Sequence, residues 1–163
     1  MATINQAPLG KKIVYKNTFK TVIVIGILYL VFRFFIKLVF PNEFNTQFLV
    51  LDLLVLSMPL WYYAYQYSFY KSYFYDIRND FFVLKKGVFT PREASLPYDK
   101  FQDVYIDQDI LDRIFGIYDV HVSTATGLSG MHAHIDGVNK KNSEILRQLI
   151  LDQIRKHKPH NGN

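Results

Sequence analysis

Two long apolar stretches, residues 21–40 and 48–65, are separated by only seven residues in this chain of 163 residues. As a helix, each stretch is long enough to span the roughly 30 Å hydrocarbon core of a bilayer. Backbone groups cannot stay unpaired in lipid, so an isolated span must be a helix. The short connector therefore predicts a transmembrane hairpin of two antiparallel helices.

The first stretch is expected to remain in the protein and not to be removed as a signal peptide. Its apolar run is longer than the usual core of a signal peptide, and Arg33 and Lys37 lie near its end. No cleavage site of small residues follows it. Both stretches are therefore predicted to span the membrane.

The positive charge of the chain is concentrated before the first span. The formal net charge is +5, yet from Lys71 onward 13 Lys and Arg face 12 Asp and Glu, a balance of +1. Four lysines precede the first span, whereas the connector carries Glu43 and no cation. The positive-inside rule predicts that both termini lie in the cytoplasm and that the connector is external. We expect the protein in the plasma membrane. The nearly neutral cytoplasmic part argues against nucleic acid as a partner.

Three charged side chains interrupt the apolar stretches, namely Arg33, Lys37 and Asp52. Charge within hydrocarbon is costly, so such residues usually have a partner or a function. On an antiparallel hairpin, Asp52 falls between the two cations in depth. The sequence therefore predicts an intramembrane ion pair among these three residues, with snorkelling of the cations to the interface as the alternative.

Short segments with strand-like patterns follow residue 70. Arg78-Asn79-Asp80 and Lys86-Gly87 have the composition of tight turns between them. Strands are predicted at 73–78, 81–85, 88–94, 104–109, 118–125 and 131–138. The last element differs, because Ser143 can cap an amphipathic helix over 144–157 that Pro159 ends.

This order predicts an α+β protein with a transmembrane hairpin, then a small antiparallel sheet or barrel with a C-terminal helix. The predicted boundaries are a basic cytoplasmic segment at 1–20, the hairpin at 21–65 and a cytoplasmic domain at 71–158. Residues 1–10 and the tail at 159–163 are expected to be disordered.

No catalytic, cofactor or metal site is predicted. The Ser and Thr residues of segment 123–126 have no nucleophile elbow around them, and no glycine-rich loop leads into a helix. His132, His134 and Asp136 alternate along one strand, but no fourth metal ligand accompanies them. The absence of cysteine excludes disulfides and thiolate sites. The chain is therefore not expected to be an enzyme.

The segment 87–104 (Gly-Val-Phe-Thr-Pro-Arg-Glu-Ala-Ser-Leu-Pro-Tyr-Asp-Lys-Phe-Gln-Asp-Val) is followed by Leu111, Arg113, Phe115-Gly116 and Thr-Ala-Thr-Gly at 124–127. In this order, directly after two spans, these motifs resemble the bacterial pleckstrin-homology-like (PH-like), membrane-flanked domain family. Phe101 is a departure, because an aliphatic residue is usual there. The resemblance implies a PH-like β-barrel with a C-terminal helix, and a membrane-tethered module without a named reaction.

Lys85, Lys86 and Arg92 surround a hairpin turn where PH domains often receive phosphorylated headgroups. Headgroup contact is one hypothesis for these cations, and a solvated polar hairpin is the other. The expected function is a binding or scaffold module at the cytoplasmic face, engaging the bilayer together with protein partners, a second copy or lipid headgroups. The alternative is an accessory subunit of a membrane transport or stress-response complex, packing its intramembrane charges against a partner.

Overall fold

The computed structural model describes residues 3–40, 48–124 and 134–157. The helices of this part are α1 (Lys12–Val39), α2 (Leu49–Ser72), α3 (Ile110–Phe115) and α4 (Lys140–His157). The strands are β1 (Phe74–Ile77), β2 (Phe81–Lys86), β3 (Arg92–Pro97), β4 (Phe101–Asp107), β5 (Tyr118–Thr124) and β6 (His134–Val138). The predicted connector 41–47, the Thr-Ala-Thr-Gly motif beyond Thr124, the strand start 131–133 and the tail 159–163 lie outside the described residues.

The chain divides into two compact units. One comprises Val14–Ser68, and the other, the β-rich unit, comprises Met1–Ile13 together with Phe69–Asn163. The β-rich unit therefore includes the start of the chain, which the predicted domain boundaries assigned to a separate segment.

Most of α1 and α2 make up the unit Val14–Ser68. Large apolar side chains of both helices are exposed, such as Leu30 at 68% and Leu56 at 75%. Among the described helices, α1 alone is long and apolar enough to cross a membrane, with a mean hydropathy of 2.5 in its most apolar window. The tyrosine-rich second half of α2 lowers the mean hydropathy of that helix.

The described strands form two three-stranded antiparallel sheets, ordered β1–β2–β3 and β4–β5–β6. The predicted closed barrel is therefore wrong for this part of the chain. Tyr98–Lys100 forms a short 3-10 turn that carries the chain from β3 to β4, and hence from one sheet to the other. The shared core contains apolar residues from both sheets and from α4: Tyr75, Phe82, Leu84, Phe101, Val104, Val120, Val122, Ile135, Leu146 and Ile150.

The C-terminal helix begins earlier than predicted, at Lys140. Asn139 caps it, because the Asn139 side-chain oxygen accepts the Asn142 backbone N–H at 2.8 Å. Ser143 is not the cap. It lies in the first turn, where its hydroxyl donates to the carbonyl of Lys140 at 2.8 Å.

Two other local predictions need correction. The strand predicted at 88–94 begins only at Arg92, because residues 88–91 form the bend after β2. Helix α3 was not predicted, and Asp109 caps it through a reciprocal capping box with Asp112. Gly116 ends that helix in a left-handed conformation with φ of 64°.

Residues 3–10, here called the N-terminal segment, pack into the β-rich unit. Ala7 and Leu9 are buried, with exposures of 0% and 6%. The backbone N–H of Gly10 donates to the carbonyl of Gly137 in β6 at 2.8 Å. The predicted disorder of residues 1–10 is therefore wrong for this segment.

Candidate functional site

A pocket of about 580 Å³ lies at the turn end of the β2–β3 hairpin. Leu84 pairs with Ala94 across the two strands, and Lys86 pairs with Arg92. Side chains alternate along a strand, so these four residues share one face of the sheet. Together with Phe69 from the end of α2, they give the pocket an apolar floor and a charged rim, where Glu93 lies beside the two cations.

Gly87 shapes the turn beside this pocket. Its φ is +123°, a conformation that residues with a side chain rarely adopt. A Cβ at this position would lie 2.6 Å from the carbonyl oxygen of Thr90. The backbone of the bend therefore approaches the start of the turn so closely that only glycine fits.

The structure brings together two of the three cations predicted to contact a headgroup. Lys86 and Arg92 both line the pocket, and Arg92 is exposed. Lys85 is the next residue along β2, so its side chain projects to the opposite face, where it pairs with Glu93. The predicted trio is thus divided between the two faces of the hairpin.

Lys86 is held by β6. Its Nζ donates to the carbonyl of His134 at 2.8 Å and to Oδ2 of Asp136 at 3.2 Å. The same ammonium lies 4.9 Å from the centre of the Tyr73 ring. Nε2 of His134 also lies 3.1 Å from Oδ1 of Asp136. Lys86 therefore connects the first sheet to the second.

Burial and the neighbouring charges have opposite effects on the pKa values of Lys86 and Asp136. Burial lowers the pKa of Lys86, although the neighbouring Asp136 carboxylate opposes that change. Burial alone would raise the pKa of Asp136, but the hydrogen bond from His134 and the charge of Lys86 outweigh it. The pKa of Asp136 is consequently lowered, and the carboxylate is charged at neutral pH.

Asp136→Asn is expected to destabilise the β-rich unit by about 2 kcal/mol at pH 7, because Lys86 would keep a largely buried charge without its counter-ion. A carboxyl whose pKa is lowered on folding stabilises the fold above its unfolded pKa and loses that contribution as pH falls through the folded pKa. The stability difference between wild type and variant should therefore begin to narrow below the usual pKa of 3.8 and should vanish only below the lowered pKa of the folded state, so it should be smaller at pH 3 than at pH 7. Thermal unfolding of the full chain in detergent micelles at pH 7 and pH 3 measures this.

Asp99→Asn is the control for this prediction, because Asp99 is half-exposed and, within the part of the chain that the structure describes, its ion pair is with its neighbour Lys100. Its unfolding temperature should match that of the wild type. Equal stability of Asp136→Asn and wild type at pH 7 would show that the ion pair is not stabilising.

The unit Val14–Ser68 contains the charges predicted to pair within the membrane. Nη1 of Arg33 lies 3.5 Å from Oδ1 of Asp52. The hydroxyl of Tyr29, one helical turn before Arg33, donates to the same carboxylate. Lys37 is exposed and makes no ion pair with a described residue. The i, i+4 spacing of Tyr29 and Arg33 is a signal that could have identified the third member of this cluster.

Of His132 and His134, which were considered as metal ligands, the structure describes only His134. His132 lies outside the described residues. His134 and Asp136 are occupied with each other and with Lys86. These contacts give His134 and Asp136 a structural role between the sheets.

Comparison with known proteins identifies the family of this chain. A family model described as "Bacterial PH domain" matches residues 21–154. The chain belongs to the bacterial PH domain family. This confirms the resemblance drawn from the motifs between residues 87 and 127. Neither the curated proteins nor the solved structures provide a match to the chain.

The matched range of this bacterial PH domain protein has an informative boundary. It includes both apolar stretches and the strands around the pocket. It begins after the N-terminal segment, although Ala7 and Leu9 of that segment are buried in the β-rich unit. Part of the folded unit thus lies outside the range that identifies the family.

Proposed function

We propose that this bacterial PH domain protein is a membrane-tethered binding module. In this proposal α1 and α2 are a two-span hairpin in the plasma membrane, both termini are cytoplasmic, and the β-rich unit binds a ligand without catalysing a reaction. The family supports a binding or scaffold role. The exposed apolar residues of both helices support the hairpin, because soluble proteins rarely expose such large apolar surfaces.

The second helix supports a span despite its lower mean hydropathy. It contains 24 residues, a length of about 36 Å at 1.5 Å per residue. Its first half exposes leucines, whereas its second half carries Trp61 and several tyrosines. Aromatic residues of this kind are enriched at membrane–water interfaces.

The pocket carries the proposal for the ligand. Its floor of Leu84, Ala94 and Phe69 suits an apolar group, and its rim presents the guanidinium of Arg92. A guanidinium binds phosphate through paired hydrogen bonds. We therefore propose an anionic lipid headgroup as the ligand, with Arg92 as the principal contact and Lys86 as a second cation held in place by β6.

Arg92→Glu is expected to weaken binding of an anionic lipid at least ten-fold, because the charge that faces the ligand is reversed. The full chain would be reconstituted in phosphatidylcholine nanodiscs and titrated with short-chain phosphatidylglycerol by calorimetry. A parallel titration with inorganic phosphate separates recognition of the phosphate from recognition of the lipid.

Lys85→Glu is the matched control for this titration. It makes the same charge reversal on the same hairpin, but on the face opposite to Lys86 and Arg92, and Lys85 is not a lining residue of the pocket. It should leave the affinity within two-fold of wild type. Equal losses in the two variants would instead indicate general electrostatic attraction to the hairpin, and no loss in either would remove the headgroup proposal.

The alternative function, an accessory subunit of a transport or stress-response complex, was predicted from the intramembrane charges. Arg33 and Asp52 pair with each other inside the unit Val14–Ser68. These two charges therefore do not require a partner's helix to neutralise them. A protein partner or a second copy stays a prediction from the sequence.

A further inference from the structure

One face of the second sheet carries a polar cluster that the proposed binding function does not use. Across β4 and β5, Tyr105 pairs with His121 and Asp107 pairs with Asp119. His121 also pairs with His134 on β6. Residues two apart share a face, so one imidazole and two carboxylates meet on neighbouring strands.

We propose that Asp107, Asp119 and His121 bind a divalent transition-metal ion, with Zn²⁺ as the best match. One ligand atom from each residue lies within 4.8 Å of the others. Nε2 of His121 is 3.1 Å from Oδ1 of Asp107. A zinc ion about 2.0–2.2 Å from each of its tetrahedral ligands separates those ligands by roughly 3.3–3.6 Å, which the distance between His121 and Asp107 approaches.

The chemistry of the donor set favours zinc over the hard cations. Mg²⁺ and Ca²⁺ prefer oxygen ligands alone, whereas an imidazole nitrogen suits zinc and its neighbours in the first transition row. Two carboxylates and a neutral imidazole carry a charge of −2, which balances a divalent ion. Three protein ligands leave a position for water, and Asp107 is 56% exposed at its side chain.

Neighbouring groups orient two of the three ligands. The His121 ring lies between Tyr105, at 5.1 Å and 7° between planes, and His134, at 5.4 Å and 12°. Oδ1 of Asp119 accepts the backbone N–H of Gly137 at 2.7 Å. Contacts of this kind around a ligand set its orientation before the ion binds. The cluster is therefore better ordered than a random group of surface carboxylates.

Calorimetric titration of Zn²⁺ into the chelator-treated full chain in detergent micelles tests the site. Wild type should bind zinc, and His121→Ala should weaken its affinity at least ten-fold. His157→Ala is the matched control, because His157 is also an imidazole near a carboxylate, 3.9 Å from Asp80. It should leave the His121-dependent binding unchanged.

Asp107→Asn provides a second, nearly isosteric variant at an exposed position, so it should fold even if His121→Ala does not. It should also weaken zinc binding at least ten-fold. Absence of zinc binding by wild type would overturn the site. So would wild-type affinity in the folded Asp107→Asn protein.

Discussion

Deleting residues 2–9 is expected to destabilise the β-rich unit by about 3 kcal/mol or more, or to prevent it from folding. Removing a buried leucine side chain alone costs about 2–5 kcal/mol, and Leu9 is only 6% exposed. The deletion would also uncover the core around Ala7, which is fully buried. The segment therefore acts as part of the core, although it precedes the first long helix.

Hydrogen bonds add to this expected loss. The buried hydroxyl of Tyr75 donates to the carbonyl of Ala7, and the Asn142 side-chain amide donates to the carbonyl of Pro8 at 2.8 Å. Without the segment these donors lose their partners, and an unsatisfied buried polar group costs about 1–3 kcal/mol. The deletion should therefore destabilise both β1 and α4.

Hydrogen exchange of the full chain and the deletion variant, in the same micelles, measures this effect. Peptides from β1 and α4 should exchange faster in the deletion variant, and the unfolding temperature should fall. Leu9→Ala should reproduce part of the loss, whereas Gln6→Ala, at an exposed position of the same segment, should not. Unchanged exchange in the deletion variant would show that the segment does not stabilise the unit.

The sequence could not reveal this segment, because its contacts are distant along the chain. Thr3 illustrates the point, since its backbone N–H donates at 2.9 Å to Asp76, 73 residues away. Pro8 and Gly10 resemble a flexible chain end when only local composition is considered. Periodicity served better for β5, whose side chains are buried in alternation, and for the buried face of α4, because a regular period directly reflects which side is buried.

The candidate pocket was predictable only where it depends on residues close together in the sequence. A lysine pair beside a glycine turn suggested the hairpin, and the register then separated Lys85 from Lys86. The partner of Lys86 could not be predicted, because Asp136 lies 50 residues later on a strand of the other sheet. The predicted cap of the C-terminal helix was wrong for a different reason. Asn139 and Ser143 are both favourable cap residues, so composition alone does not choose between them.

Gly137→Ala is expected to destabilise the β-rich unit by about 2–5 kcal/mol, through two separable effects. Gly137 has φ of +73°, and a left-handed conformation costs an L-residue with a side chain about 1–2 kcal/mol. A Cβ here would lie 2.6 Å from Cβ of Ile13 and 2.7 Å from its Cδ1. Overpacking of this kind costs about 1–3 kcal/mol.

A double-mutant cycle with Ile13→Ala separates the steric effect from the backbone effect. Shortening Ile13 removes the Cδ1 contact, so the double variant should lose less stability than the sum of the single variants, by about 1 kcal/mol. The remaining deficit reports the backbone strain and the residual contact with Cβ. Additive losses would show that Ile13 does not limit the space at Gly137.

Gly26→Ala is the matched control for this cycle, because it makes the same substitution inside α1 where a Cβ would meet nothing within 4 Å. Alanine is favoured over glycine within a helix by about 0.5–1 kcal/mol, so this variant should not be destabilised. Opposite signs at Gly137 and Gly26, measured by thermal unfolding in the same micelles, would locate the effect in the contact between β6 and Ile13. That contact joins the first turn of α1 to the strand whose Asp136 holds Lys86, so the loss of stability at Gly137 should be accompanied by faster exchange in both β6 and β2.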